Sequence, residues 1–329
     1  MRSSFIIATF ATAANLVSAL PTVVEKRADF AAPPNGDIDI LNYALTLEYL
    51  ERKFYGDGLA KFGSSDFVAA GFPAPFYDNL KEVYFDEQTH VSFLAGALKD
   101  AGVKEATYSF PYTDAKSFVA LASVLEGVGV SAYLGAAAAI LNKQYLTIAG
   151  SILTVESRHS SYIRAALGES PFPKPFDTPL DFMQVYSLAA QFITGFPNSG
   201  GKSGLPFTAF PALALEASQY PYTAGSSPVT FKHAFNNAKA LGVTADTPVY
   251  AVFFSGLDTY YVKTYITRGD SGDYKIKSIP GADFASAGQL PPTGQVYVVL
   301  STADGVNTFV NDANTLSGVG VLEVLPPRH

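Results

Sequence analysis

Cysteine is absent from this chain of 329 residues. Disulfides and thiolate chemistry are therefore excluded, so packing or a bound metal has to stabilise the fold. The sequence also lacks any Asn-x-Ser/Thr sequon, and N-linked glycans are not expected. Only 16% of the residues are charged, the net charge is −7, and no basic run offsets it. Because nucleic acid and anionic membrane surfaces bind basic faces, neither is expected as the main partner.

Apolar residues, in contrast, make up 48% of the chain, which is enough to build the cores of two ordinary domains. The first apolar run lies at the N-terminus, where Phe5–Val17 follows Arg2 and leads into the small residues Ser18 and Ala19. This order predicts a secretory signal peptide over residues 1–19. The apolar run is too short to span a bilayer.

Residues 20–36 are predicted to form a pro-segment and linker. Within it, Lys26-Arg27 resembles a dibasic site for a subtilisin-type protease of the secretory pathway, so we expect the mature chain to start near Ala28. No second apolar stretch of about twenty residues is evident, which argues against a transmembrane anchor. The sequence therefore predicts a secreted protein of the extracellular space or cell wall.

Residues 37–195 have the apolar periodicity of a helical bundle. Asp37 is the predicted N-cap of the first helix, and Gly168 closes the fourth. The predicted helices are A (37–62), B (75–101), C (114–141), D (144–167) and a fifth over Thr178–Thr194.

Residues 205–329 change to short β-rich runs separated by Gly, Pro and Asp, a spacing typical of an immunoglobulin-like β-sandwich. Lys232–Leu241 fits either a short helix or a strand with a loop. The predicted strands are Thr208–Leu215, Pro248–Ser255, Tyr260–Thr267, Tyr274–Ile279, Gln295–Ser301 and Gly320–Val324. The fold class is thus an α domain followed by a β domain.

Two Glu-x-x-His motifs are the main chemical signal of the helical region. They are Glu87-Gln88-Thr89-His90 in helix B and Glu156-Ser157-Arg158-His159 in helix D. Residues three apart share one face of a helix, so each carboxylate and imidazole can reach the same metal ion.

Single glutamates in the other two helices complete the pattern. Glu126 is a lone charge in an apolar, glycine-rich stretch of helix C, and Glu48 or Glu51 is the counterpart in helix A. About 12 to 15 residues separate Glu48, Glu87, Glu126 and Glu156 from the ends of their helices, so all four lie at one depth of the bundle. Four carboxylates and two imidazoles suit a pair of iron or manganese ions, with two bridging carboxylates and one histidine on each ion.

This set of residues resembles the di-metal pattern of the ferritin-like superfamily, in which two helices each give one Glu and two give Glu-x-x-His. The segments NYALTLEYLERKFY and FDEQTHVSFLAGAL are similar to the fungal ferritin-like group described as stress-response or desiccation-related proteins. The resemblance implies the metal ligands Glu48, Glu87, His90, Glu126, Glu156 and His159. It also implies that Gly102–Thr113 crosses the length of the bundle.

Further residues have two interpretations each. Tyr55 and Tyr133 follow Glu48 and Glu126 by seven residues and are either core aromatics or neighbours of the metals. Gly127 and Gly129 indicate close helix packing or a channel for a small oxidant. The remaining candidates are Asp270, Asp273 and Asp304, which are turn residues or calcium ligands, and His233 and His329, to which no function is assigned.

Two functions fit the sequence. The first is a di-metal oxidoreductase, ferroxidase or manganese-catalase-like, that reacts with dioxygen or peroxide under stress. The second is a stress-induced structural protein whose metal site is structural or vestigial and whose β domain binds cell-wall polysaccharide. A ferritin-type storage cage is disfavoured, because its shell would have to accommodate the β domain.

Overall fold

The computed structural model describes residues 30–216, 221–267, 272–282 and 289–325. The predicted signal peptide, the dibasic site, Asp270 and His329 lie outside these residues. The helices are α1 (Asp37–Lys61), α2 (Ser64–Ala69), α3 (Pro75–Leu98), α4 (Ala115–Ala136), α5 (Lys143–Ala166), α6 (Phe182–Ala190) and α7 (Ala234–Ala240).

The four long helices lie close to their predicted positions. Helix α1 packs along α3, and α4 packs along α5. The fifth predicted helix is shorter than expected: α6 begins after its cap Asp181, whose side chain accepts a hydrogen bond from the backbone N–H of Gln184. Its expected C-terminal part instead forms strand β2 (Ile193–Gly195), which pairs with β1 (Thr107–Tyr108).

The segment between α3 and α4 runs along the whole of α1, as the crossover requires. Its first, middle and last parts contact the start, middle and end of that helix. The contacts pair Asn42 with Val103, Arg52 with Glu105, and Lys61 with Tyr112. The expected crossover of the bundle length is confirmed by these three contacts.

The expectation that no second long apolar stretch exists is wrong. Residues Ala115–Ala139, which comprise α4 and the 3-10 turn after it, are long and apolar enough to cross a membrane, the one such helix among the described residues. Helix α4 is surrounded by α1, α5 and α6, and 72% of its most apolar window is buried. Its composition is therefore that of a central bundle helix.

The β-rich region consists of two stacked sheets. The order in the larger sheet is β4-β11-β10-β6-β7 and in the smaller sheet β3-β5-β9-β8. The strands are β3 (Ala214–Leu215), β4 (Tyr222–Thr223), β5 (Val229–Lys232), β6 (Tyr250–Ser255), β7 (Asp258–Lys263), β8 (Tyr265–Ile266), β9 (Tyr274–Ile276), β10 (Gly294–Ser301) and β11 (Gly320–Leu325). Apart from β4, which adds a fifth strand beside β11 in the larger sheet, this is the strand order of an immunoglobulin-like sandwich, with A, B, E and D in one sheet and G, F, C and C′ in the other.

Some strands differ from the sequence-based expectation. The strand predicted over Thr208–Leu215 is confined to its last two residues, and β4 and β5 were not predicted. Lys232–Leu241 contains helix α7, which settles the earlier ambiguity.

The larger sheet is buried on both faces. In β6, Ala251 and Phe253 belong to the core shared with the smaller sheet, whereas Val252 and Phe254 belong to the core shared with the helices. Alternate side chains of a strand point to opposite faces, so both sets have to be apolar here. The hydrophobic core of the bundle therefore continues into the sandwich.

The buried carboxyl group of Asp181 should make the stability of the fold depend on pH. Asp181 is 4% exposed, and burial, followed by the charge of Asp312, raises its pKa to about 7. The folded chain then holds a proton between about pH 4 and 7 that the unfolded chain has lost, so this group lowers stability as the pH rises through that window. Asparagine caps helices equally well and carries no charge.

We therefore expect Asp181→Asn to change the free energy of unfolding little at pH 4.5 and to raise it by about 2 kcal/mol at pH 8. Urea unfolding at both pH values measures the difference. Asp114→Asn is the matched control, because Asp114 caps α4 from an exposed position and backbone N–H groups lower its pKa. A gain at pH 8 in the control as well, or none in Asp181→Asn, contradicts the prediction.

Candidate metal centre

The six candidate ligands lie together in the middle of the four-helix bundle. Helix periodicity places each of them on the inward face of its helix, with α1 and α4 giving one Glu each and α3 and α5 giving Glu-x-x-His. All four carboxylates are fully buried, and the two imidazoles are less than a tenth exposed.

His90 faces the first group of carboxylates. Its Nδ1 atom lies 3.1 Å from Glu48 Oε2, 3.3 Å from Glu87 Oε2 and 3.3 Å from Glu156 Oε1. One donor atom from each of the four residues lies within 4.8 Å of the others. The arrangement has the size and donor types of a metal-binding site.

His159 faces a second group that shares two members with the first. Its Nδ1 atom lies 3.3 Å from Glu87 Oε1, 3.3 Å from Glu126 Oε2 and 3.9 Å from Glu156 Oε2. Glu87 and Glu156 thus turn one oxygen toward each histidine. Glu87 and Glu156 therefore belong to both groups of donors that could hold a metal ion.

Several of these donor atoms are buried without a hydrogen-bond partner in the part of the chain that the structure describes. They are Glu87 Oε1, Glu126 Oε2, both oxygens of Glu156, and His159 Nδ1. Burying carboxylate oxygens in this way is costly unless a cation compensates them. The donor set therefore fits metal ions, and these buried groups could hold them.

Electrostatics between the carboxylates lead to the same conclusion. Burial raises the pKa of Glu48 to about 7, and burial together with the charge of Glu87 raises the pKa of Glu156 well above its usual range. Glu87 is the exception. Burial also acts to raise its pKa, but close contacts with the imidazoles of His159 and His90 outweigh that effect and lower it to about 2.

Protonated imidazoles compensate part of the negative charge when no metal is bound. Burial opposes protonation of His159, but the charge of Glu126 and contacts with the other carboxylates raise its pKa to about 12. A bound metal ion would take over this compensation, and its binding would release protons.

Tyr55 and Tyr133 are both fully enclosed and contact the centre. The Tyr55 hydroxyl donates a hydrogen bond to Glu126 Oε1, and the Tyr133 hydroxyl donates one to Glu48 Oε1. Each tyrosine therefore holds the glutamate of the opposite helix and leaves the second oxygen of that carboxylate facing its histidine.

Asp86 is a contact that the sequence analysis did not find. Its Oδ2 atom lies 3.2 Å from His159 Nε2, on the side of the ring away from the carboxylates. A carboxylate on the outer nitrogen orients a metal-binding histidine and leaves Nδ1 for the metal. The sequence signal is the acidic residue next to Glu87, which points outward on α3.

Glu51 lies beside the centre and outside both ligand groups. It is 4% exposed, and a Cβ atom on Gly129 would lie 3.0 Å from Glu51 Oε1 and 3.4 Å from Glu156 Oε2. Burial, followed by the charge of Glu156, raises the Glu51 pKa well above its usual range. Glu48, with its direct contact to His90, is the glutamate of α1 that belongs to the donor groups.

The other candidate residues are separate from this centre. Asp273 Oδ1 accepts a hydrogen bond from the backbone N–H of His233, and Asp304 Oδ1 accepts backbone N–H groups from its own turn. Gly127 serves close packing, because a Cβ atom there would lie 2.6 Å from the side chain of Gln295 in β10.

Comparisons with known proteins agree with the geometry. Residues 36–169 match the family model of the ferritin-like domain. The chain is also 26% identical over 272 residues to Protein rds1 of Schizosaccharomyces pombe, a match that covers 72% of this chain and 67% of that protein. Residues 36–169 therefore form a ferritin-like domain, and a β-rich region follows it in the chain.

Proposed function

We propose that the ferritin-like domain binds two iron or manganese ions and reacts with dioxygen or peroxide. The observation that carries the proposal is the pair of buried donor groups that share Glu87 and Glu156. Oxygen-rich donors with one imidazole each suit iron or manganese. When bound, such ions would supply a reversible change of oxidation state at the centre.

The residues of the chain have distinct tasks in this proposal. The shared carboxylates Glu87 and Glu156 would hold both ions, and His90 and His159 would each serve one of them. Tyr55 and Tyr133 fix the orientation of Glu126 and Glu48. Burial of the whole set excludes bulk water, which strengthens every electrostatic interaction inside.

We further propose that the protein acts outside the cell in stress protection. The predicted signal peptide over residues 1–19 and the dibasic site support secretion, and the resemblance to fungal stress-response proteins supports the role. The alternative is a structural or vestigial metal site in a cell-wall protein. The structural site is favoured by the origin of the candidate ligands, because they come from four helices that a bound metal would hold together.

The test uses protein purified from the culture medium of a secreting fungal host. We expect about two iron or manganese ions per chain by elemental analysis, together with ferrous oxidation or peroxide turnover. Exchange of Glu126 for glutamine should reduce both. Metal without either activity in the unchanged protein contradicts the oxidoreductase and favours the structural site. Protein without metal contradicts the oxidoreductase and the structural site and favours a vestigial one.

A further inference from the structure

A cavity of about 240 Å³ lies between the helical bundle and the β-sandwich. Its walls come from α1, α4 and α6 on one side and from β3 and β11 on the other. They are mainly apolar, with Glu51 and Gln191 as polar side chains and Phe192 as an aromatic one. Side chains that represent these walls are Leu47, Leu50, Val128, Leu188, Leu215 and Val321.

The cavity reaches the metal centre at Gly129. Glu51 and Gly129 both line it, and the position of a Cβ atom on Gly129 lies within 3.4 Å of Glu51 Oε1 and Glu156 Oε2. The wall therefore lacks a side chain where the carboxylates are nearest. Glu51 Oε2 has no hydrogen-bond partner among residues 30–216 and the other described segments, although it is buried.

We propose that this cavity binds a small apolar organic molecule next to the metal centre. An apolar cavity of about 150 Å³ in another protein binds benzene or xenon and stays free of water, because water finds no hydrogen-bond partners there. The present cavity is larger and mainly apolar, with polar side chains at Glu51 and Gln191. Dioxygen needs much less space, and peroxide would lose its hydrogen bonds along the aliphatic walls.

In this proposal the β-rich region helps to determine which ligand fits, because it forms part of the cavity wall. Leu215 and Val321 belong to the sandwich, so the pocket is complete only when the sandwich packs on the bundle. A reaction of the bound molecule at the metal centre rests on the proposed function. Binding of the molecule in the cavity does not depend on that function.

The experiment measures benzene binding to the full chain by calorimetry and by the shift in melting temperature. Two variants fill the cavity from opposite walls: Ala189→Leu on α6 and Val321→Phe on β11. The control is Ala97→Leu, which adds the same volume at an exposed position of α3. Circular dichroism checks the fold, and elemental analysis gives the metal content of each sample.

We expect benzene to raise the melting temperature of the unchanged protein and of the control, and to bind at least about tenfold more weakly to a folded cavity-filling variant. A crystal under xenon pressure should show xenon beside Gly129. Absence of benzene and xenon binding, or unchanged affinity in both folded variants, overturns the pocket. Benzene binding to protein that takes up no metal supports the pocket and contradicts the proposed function, so the two failures are distinguishable.

Discussion

Exchange of Glu87 for glutamine should abolish binding of both metal ions, whereas exchange of Glu126 should abolish binding of one. Glu87 gives Oε2 to the group around His90 and Oε1 to the group around His159. Glutamine keeps the shape of the side chain but removes the charge that both ions share. Glu126 belongs to the second group alone, so the group around His90 keeps its four donors.

The size of the effect follows from the position of these residues. Loss of a residue that only orients a metal ligand typically weakens metal binding by about 10- to 100-fold, and loss of a bridging ligand should exceed this range. Bound metal also stabilises the folded state, by about 4 kcal/mol when its concentration is a thousand times the dissociation constant. Glu87→Gln should therefore unfold at the same temperature with and without chelator.

Elemental analysis and thermal unfolding, each with and without chelator, measure these effects. Glu82→Gln is the matched control, because Glu82 is an exposed glutamate of the same helix. It should keep both ions and the full melting temperature. If Glu87→Gln retains two ions, or if Glu126→Gln loses none, the assignment of bridging and single-site ligands is wrong.

The residues that each helix contributes to the centre could be predicted from the sequence, because their faces and depths depend only on spacing within one helix. The spacing of Glu87 and His90 fixes their common face, and residue counts within each helix fix the common depth. Contacts across helices depend on how each helix is rotated about its axis, which residue counting does not give. The sequence therefore left Tyr55 as either a core aromatic or a neighbour of the metals, and it did not indicate that Tyr55 binds Glu126 of another helix.

The same distinction explains the errors in the fold. Residues 193–195 continue the apolar pattern of α6 but pair with residues 107–108 of the crossover, a partner far away in sequence. Strand β4 is defined by its pairing with β11, and its two residues are too few to show the alternating apolar pattern of a strand. The apolar composition of α4 indicates that this helix is buried, but it does not indicate which elements pack against it.

The second large expected effect is on stability and concerns the contact of α5 in the bundle with β11 in the sandwich, here called the joint. Arg164 of α5 donates two hydrogen bonds to Glu323 of β11, at 2.8 and 2.7 Å, and a third to the carbonyl of Ser170. Arg164 is 4% exposed and Glu323 is 8% exposed. Burial raises the pKa of Glu323, an effect that the charge and hydrogen bonds of Arg164 oppose.

Arg164→Met should lower the free energy of unfolding by about 3–5 kcal/mol, because it leaves the Glu323 carboxylate buried without its partner. The double variant Arg164→Met/Glu323→Leu removes both charges and should recover most of the loss. Arg52→Met, which breaks an ion pair that is about a third exposed, should cost less than about 1 kcal/mol. Urea unfolding of the four proteins measures these differences.

The way in which Arg164→Met unfolds tests the continuity of the core. Since Val252 and Phe254 of the sandwich share a hydrophobic cluster with the helices, bundle and sandwich should unfold in one transition in the unchanged protein. Loss of the ion pair should move that single transition to lower urea without splitting it. Two separate transitions, or a loss no larger than that of Arg52→Met, would show that the joint contributes little and that the two regions are stable independently.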